Sequence, residues 1–337
     1  MKAPRVAEHG MLSTSTIKKF NMNTLNTTTH TLLDDKQTAA TELVAVLVAV
    51  TNGQARVLTT HQGQSLPAGV LSPLHRSLQK GVRVWVEEQT AQPLGYLEQL
   101  YTFVDTQRGQ AAKQLWLSVS YVGLVTEVAS ANLNLQAKWM DWYAFFPWED
   151  RRVVQVERDK AILEALTAWI EASADWETQQ FRQQRVDMYW GQGEWSWSEE
   201  LALQRYELMY ETGMLQESAE PNAALLPYTG IAMQGDHRRI FATAISRLRA
   251  KIKYRPLIFD LMPAEFTLLQ LQQSIETLAG LTLHKPNFRR LIQHQDLIEP
   301  TGDSVMQERG RPAQLYRFKP NVLKEQSLAR GKMPLNK

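Results

Sequence analysis

The chain reads as an α+β protein: a sheet-and-helix domain, then an acidic helical segment, then a C-terminal winged helix-turn-helix. Three observations point there. Apolar stretches of strand length, Leu43 to Val50 and Gln114 to Glu127, flank a region of helical periodicity. Residues 149–217 then carry Trp and Tyr at helical spacing. The charge is also split along the chain: from His237 onward there are 18 Lys and Arg against 8 Asp and Glu, and upstream 19 against 27.

Composition narrows the class before any motif does. With 337 residues, 44% hydrophobic and 21% charged, the chain has the length of two ordinary domains and the composition of a folded one. Its longest apolar run, Leu43 to Val50, is far short of the roughly 20 residues that cross a bilayer. No basic-apolar-cleavage pattern opens the chain, so a cytoplasmic location without membrane contact is expected. The absence of cysteine excludes disulfides, thiol nucleophiles and thiolate metal sites.

Taken in order, residues 1–38 are rich in Thr, Asn and Ser and are expected to form a flexible tail, with Met11 or Met22 as alternative starts. In residues 39–150, LVAVLVAV reads as a buried strand, Asn52-Gly53 as a hairpin turn, and Arg56 to Thr59 as the returning strand. Leu66-Pro67-Ala68-Gly69 is expected to break regular structure. A helix follows over 73–89, with Leu74, Leu78, Val82, Trp85 and Val86 at three- and four-residue spacing. Tyr96 to Val104 and Gln114 to Glu127 complete the strands. Residues 151–218 read as an acidic Trp-rich helical segment whose aromatics suit packing better than a ligand cage.

Residues 219–235, with two prolines, read as a linker, and 236–320 as the DNA-binding domain, followed by a basic tail over 321–337. The helix over 238–254 sets Ile240, Ala244, Ile245 and Leu248 beneath Arg239, Arg247, Arg249, Lys251 and Lys253. Thr267 is placed to cap the amide of Gln270, with Gln270 reaching back and Phe266 stapled onto Leu271. Gly280 stops that helix and Pro286 opens the next, in which Phe288, Leu291 and Ile292 point inward. Asn287, Arg290 and His294 share the outer face, with Lys285 near its start, where a recognition helix meets base edges.

Leu297 to Glu299 and Leu315 to Phe318 read as paired strands around a flexible basic tip over Thr301 to Ala313, which together make a wing. The expected DNA-contacting residues are therefore Thr267, Gln270, Lys285, Asn287, Arg289, Arg290, His294, Arg309 and Arg311, with an internal ion pair as the other reading of Arg289. Charge alone leaves a solvated basic surface open, and a small helical interaction module with an incidental hairpin is the bland alternative.

Gly69 to Ala91 resembles the Nudix box: Gly69, Arg83, Trp85, Glu87, Glu88 and Ala91 fall in register. His75, Val84 and Thr90 stand where that pattern has Glu, Glu and Gly. Clustered carboxylates in that helix let divalent cations bridge a pyrophosphate, and Val84 removes one ligating group. No catalytic residue and no metal site are therefore expected beyond vestigial binding at Glu87 and Glu88. The plain alternative is a solvated pair of helix carboxylates, with Arg83 as an i,i+4 partner of Glu87.

The chain as a whole resembles the Nudix-related transcriptional regulators of NAD metabolism, the NadQ and NrtR proteins. The residues that carry this are Leu100-Tyr101-Thr102-Phe103, Asp141-Trp142-Tyr143, Pro147-Trp148-Glu149-Asp150, Arg205-Tyr206-Glu207-Leu208 and Asp236-His237-Arg238-Arg239-Ile240. They continue through Tyr254-Arg255-Pro256, Met262-Pro263, Phe266-Thr267-Leu268, Leu271-Gln272, Asn287-Phe288-Arg289-Arg290 and Gly310-Arg311-Pro312-Ala313. The resemblance implies a Nudix-like α/β/α sandwich with a helical insertion ahead of the winged helix. It also implies a homodimeric, non-enzymatic repressor of NAD biosynthesis genes on double-stranded operator DNA. Its effector would be NAD, ATP or ADP-ribose, with Gly69, Arg83, Glu87 and Glu88 as effector-binding candidates and no required cofactor. The competing function is a Nudix pyrophosphohydrolase with an accessory nucleic-acid-binding domain.

Overall fold

The computed structural model describes residues 39–95, 97–104, 115–129, 132–254, 261–306 and 312–320. The expected tails over 1–38 and 321–337 lie outside the described residues. Strand β1 (Ala39–Thr51) is the spine of the first domain. It pairs parallel with β5 (Leu115–Leu124) on one side, and on the other antiparallel with β2 (Gln54–Thr59) and β3 (Ala68–Val70). With β4 (Leu97–Val104) and β6 (Lys138–Asp141) the sheet runs β4-β5-β1-β2-β6, with β3 on the flank of β1.

The β1–β2 hairpin closes through Asn52 at φ 51° and Gly53 at φ 71°. Two successive left-handed residues make the primed turn that matches the strand twist, as Asn-Gly suggests. The stretch expected to be irregular is not wholly so. Ala68–Val70 pairs with Glu42 to Val44, because the β1 strand is long enough to offer an edge beyond the hairpin.

Alternate residues of β1 enter separate cores, as strand geometry requires. Leu43, Ala45 and Leu47 pack with Val82 and Val86 of helix α1 (Leu78–Thr90). That helix starts later than the spacing suggested. Ser77 accepts the Lys80 amide as its cap, so Leu74 lies outside the helix and is 88% exposed.

On the other face, Val44, Val46 and Val48 share a core with helix α4 (Ala202–Glu211) and helix α5 (His237–Tyr254). Helix α2 (Val156–Glu171) and helix α3 (Trp176–Trp190) add Ile162, Leu166, Val186 and Trp190 to it. An aromatic knot of Trp142, Phe145, Phe146 and Trp148, all fully buried, ties these layers together. Phe146 meets Phe241 of α5 edge-on, with centroids 5.1 Å apart.

Two expectations about organisation need correction. Residues 219–235 are not a free connector: Thr229 and Met233 are buried, and the Gln234 amide donates to Gln64 O at 2.8 Å. The basic helix α5 does not belong to the DNA-binding domain, since Ile240, Phe241, Ile245 and Leu248 sit in the core of the first sheet. Nor are its cations all at the surface. Arg249 is 1% exposed and ion-paired with Glu149, while Arg239 and Lys251 are paired with Glu207 and Glu98.

The C-terminal domain has its own small core. Helix α6 (Leu268–Ala279), helix α7 (Lys285–Gln295), and a three-stranded sheet enclose Phe266, Leu271, Phe288, Ile292 and Phe318. The sheet order is β7 (Phe266–Thr267), β9 (Ala313–Phe318), β8 (Ile298–Val305). The wing strands are longer than the short pair expected, so the tip narrows to the segment between Val305 and Ala313. Among the described residues no helix is long and apolar enough to cross a membrane.

Candidate nucleic-acid interface

Helix α6 begins as its sequence dictates. The Thr267 hydroxyl accepts from the Gln270 amide at 3.2 Å and Gln270 Oε1 accepts from the Thr267 amide at 2.8 Å, a complete capping box. These bonds employ both side chains locally. Thr267 is also 3% exposed, which leaves its side chain little surface to offer DNA.

Helix α7 presents the expected polar residues in two stripes rather than one. Asn287, Arg290 and His294 are exposed, and Arg290 Nη2 donates to Asn287 Oδ1 at 2.6 Å, an i,i+3 contact. Lys285, Arg289 and Gln293, four residues apart, instead line a groove with Gln272 of α6 and Gln314 and Tyr316 of β9. Leu291, expected inside, is 53% exposed, because the core is filled by Phe288 and Ile292 alone on this helix. Arg309 and Arg311 lie outside the described residues. On and just beyond β9, Arg317 and Lys319 pair with Glu299 and Asp296, so part of the local positive charge is already matched.

Behind this surface, the C-terminal end of α6 is fastened to the first domain. The Thr277 carbonyl accepts from Tyr143 Oη at 2.7 Å, and the Leu278 carbonyl accepts from Arg249 Nε at 2.9 Å. The Gly280 carbonyl accepts from the Arg151 amide at 2.8 Å. The Thr277 hydroxyl donates to Gly53 O in the β1–β2 turn at 2.9 Å. These are the carbonyls that a helix end leaves unmatched, and here protein donors satisfy them. Gly280 is in the left-handed region at φ 72°, and a Cβ there would lie 2.3 Å from Glu149 O.

Glu149 anchors the junction. Its carboxylate receives Arg205 Nε at 2.6 Å and Arg205 Nη2 at 2.9 Å, and pairs with Arg249, with all three side chains fully buried. Burial alone would raise the Glu149 carboxyl; the Arg205 and Arg249 charges and their hydrogen bonds outweigh it and hold it below the ordinary value. Trp197 covers the Arg205 guanidinium at 3.8 Å from ring centroid to Cζ. Of the segment's tryptophans, Trp190 is buried and Trp197 packs on this ion cluster, whereas Trp176 and Trp195, expected to pack, are 70% and 54% exposed.

The effector candidates lie on α1 and on β3, which is tied to that helix through Ala68 and Gln89. Gly69 is flat beneath Trp85, whose ring would lie 2.2 Å from a Cβ, and Trp85 Nε1 donates to Val70 O at 3.1 Å. Arg83 donates to the Leu94 and Gly95 carbonyls and makes no ion pair with Glu87 among the described residues. Glu87 and Glu88 are exposed on the outer face of α1. Among the described residues no group of three His, Cys, Asp or Glu is placed to hold a metal.

A cavity of about 540 Å³ opens elsewhere, between α4, the start of α5 and the end of β4. Its lining includes Tyr206, Glu207, Tyr210, Glu217, Asp236 and Arg239. Sequence reasoning passed over it, because aromatic residues at helical spacing look the same whether they fill a core or line a hollow.

Comparison with known proteins places part of this architecture. Residues 258–318 match the model of the NrtR DNA-binding winged helix domain. The chain is 41% identical over 83 residues to the ADPR responsive transcriptional repressor NtrR of Acinetobacter baylyi. That match spans 25% of this chain and 33% of the relative's length. Shewanella oneidensis NrtR complexed with a 27mer DNA is similar over 84% of this chain and 95% of its own, at 22% identity and a TM-score of 0.48. The NUDIX domain of the same protein complexed with ADP ribose is similar over 35% of this chain and 86% of its own, at 23% identity and a TM-score of 0.28.

Proposed function

From residues 258–318 being an NrtR DNA-binding winged helix domain, we propose that the chain is a transcriptional repressor of NAD biosynthesis genes, controlled by a nucleotide effector. The carrying observation is the helix pair, its first helix opened by a capping box, that exposes Asn287, Arg290 and His294 along one face of α7 beside the β8–β9 wing. In this reading those three side chains meet base edges, while Lys285, Arg289, Arg309 and Arg311 hold phosphates. The protein acts in the cytoplasm as a homodimer on a two-fold operator, as helix-turn-helix proteins commonly do. The effector is ADP-ribose, NAD or ATP, and the name of the Acinetobacter relative favours the first.

Binding to promoter fragments at two salt concentrations tests the DNA half. Phosphate contact requires a clear loss of affinity at higher salt. Binding that is absent, or indifferent to salt, overturns it. Adding each nucleotide to the same assay tests control, and operator affinity unchanged by all three removes the effector.

The competing reading is a pyrophosphohydrolase. Against it stands Val84, which puts an apolar side chain where a ligating carboxylate is needed one turn from Glu87 and Glu88. Sustained turnover of ADP-ribose with magnesium would restore that reading.

A further inference from the structure

We infer that His237 is a positioning residue of this regulator. The hydrogen bond from the Leu66 amide to its Nδ1 latches α5, the helix that holds the DNA-binding domain, to the segment leading into β3. This rests on the reading of the chain as a repressor whose nucleotide meets α1 and β3, and it adds the contact through which that event reaches α5.

Residues 64–70 join the two faces of the first sheet. On one face α1 packs with Leu43 and Ala45, and on the other α5 packs with Val44 and Val46. Towards α1, the Gln89 side chain holds both backbone groups of Ala68, accepting from its amide at 3.1 Å and donating to its carbonyl at 2.6 Å. Trp85 covers Gly69, and its Nε1 donates to Val70 O. Towards α5, Ser65 Oγ donates to Gln234 Oε1 at 3.2 Å and the Leu66 amide donates to His237 Nδ1 at 2.9 Å. The Leu66 and Ala68 fastenings are two residues apart, about 7 Å of extended chain, and Pro67 between them has a fixed φ. A shift of β3 against α1 therefore reaches Leu66 with little slack.

The latch is buried and depends on one atom. Leu66 and His237 are 1% and 4% exposed, so water does not replace the bond when it opens. A backbone N–H only donates, so Nδ1 accepts and the ring proton is on Nε2. That nitrogen is buried too and makes no hydrogen bond, with the Glu42 carboxylate 3.9 Å away. Of the two ring nitrogens, Nδ1 alone ties the helix. Asn at this position would carry an acceptor oxygen at the reach of Nδ1, whereas Gln would carry its polar atoms one bond further out.

From His237, α5 runs twelve residues, about 18 Å, to Arg249. Ile240, Phe241, Ala244, Ile245 and Leu248 are buried along it, and it contains neither proline nor glycine, so it moves as a unit. Arg249 pairs with Glu149 and donates to the Leu278 carbonyl of α6. The latch is closed in the arrangement described above. A nucleotide that binds α1 and β3 differently with the latch open and with it closed therefore favours one placement of α5, and with it one placement of the helix pair that meets DNA.

The test uses the full chain as wild type, His237→Gln and His237→Asn. Mobility shifts on a promoter fragment, with and without saturating ADP-ribose, NAD or ATP, give the ratio of DNA affinities that the nucleotide produces. In His237→Gln that ratio should fall about fivefold towards one, the worth of one buried hydrogen bond, while calorimetry still shows the nucleotide bound. His237→Asn should keep the wild-type ratio, a rescue that a role in packing alone would not produce. A wild-type ratio in His237→Gln overturns the inference, and so does an equal loss in both variants. Hydrogen exchange on the wild type gives a reading that needs no variant. Promoter DNA bound at α7 should change the protection of residues 64–70, because coupling is reciprocal, and unchanged protection overturns the latch. Wild-type DNA affinity indifferent to all three nucleotides removes the repressor reading itself, and the latch with it.

Discussion

Glu149→Gln isolates the charge at the centre of the domain junction. The substitution keeps the shape and one acceptor oxygen, but leaves the buried guanidiniums of Arg205 and Arg249 facing a neutral amide. Breaking a buried ion pair from one side costs about 3–5 kcal/mol, because the remaining charge has lost both water and partner. Against a net stability of about 5–15 kcal/mol, that is a large fraction of the fold.

Urea unfolding followed by tryptophan fluorescence reads the loss at neutral pH. The pH dependence gives a second reading with a definite sign. The Glu149 carboxyl is held below its ordinary value in the folded chain, so the stability it contributes is fully present above about pH 4.3. That contribution is lost as pH falls through the lower, folded value, and the gap between wild type and Glu149→Gln should narrow there. A loss under about 1 kcal/mol at pH 7, or a gap that stays constant into acid, would refute the account of a charge-matched cluster.

Thr267→Ala removes the cap of α6 and should lower stability by about 1 kcal/mol, seen as an earlier urea midpoint with unchanged slope. Gly280→Ala should cost more than about 1 kcal/mol in the same assay, because the residue sits at φ 72° with Glu149 O 2.3 Å from the new Cβ. Arg290→Ala should flatten the preference for operator over unrelated DNA, whereas Arg311→Ala should weaken both together. Mobility shifts on the two DNAs check this, and equal selectivity in wild type and Arg290→Ala would contradict that division.

Local chemistry was legible from residues a few positions apart. The Asn52-Gly53 turn, the Thr267-Gln270 box and the Gly280 stop each depend on neighbours in sequence, and each forms as expected. The elements that escaped depend on distant partners. Strands β6 and β7 are four and two residues long, too short to show alternation, and exist because β2 and β9 offer them edges. Arg249 looked like one more cation on a solvated helix face. Nothing around it indicates a carboxylate one hundred residues earlier. Leu291 misled for a related reason: helical spacing identifies apolar positions, but how many of them a small core can cover is set by the sheet beneath.

The effector candidates show the limit of motif reading. A box matched in part directs attention to Gly69, Arg83, Glu87 and Glu88. In the fold Gly69 belongs to β3 and lies against Trp85, the Arg83 guanidinium is spent on the Leu94 and Gly95 carbonyls, and the two carboxylates are in solvent. The cavity on the opposite side is built from residues 104–239, and no spacing rule gathers Tyr206, Glu217 and Asp236 before the chain is folded.

The fastening of α6 also bears on where this protein can be divided. A fragment beginning after α5 would contain every residue that faces the proposed DNA surface, yet the carbonyls of Thr277, Leu278 and Gly280 would lose Tyr143, Arg249 and Arg151 and turn to solvent. Leu278, fully buried in the core of the first domain, would become exposed at the same end. Such a fragment should fray from the last turn of its first helix, and a mutation from Leu278 to a polar residue should improve its solubility while harming the intact chain.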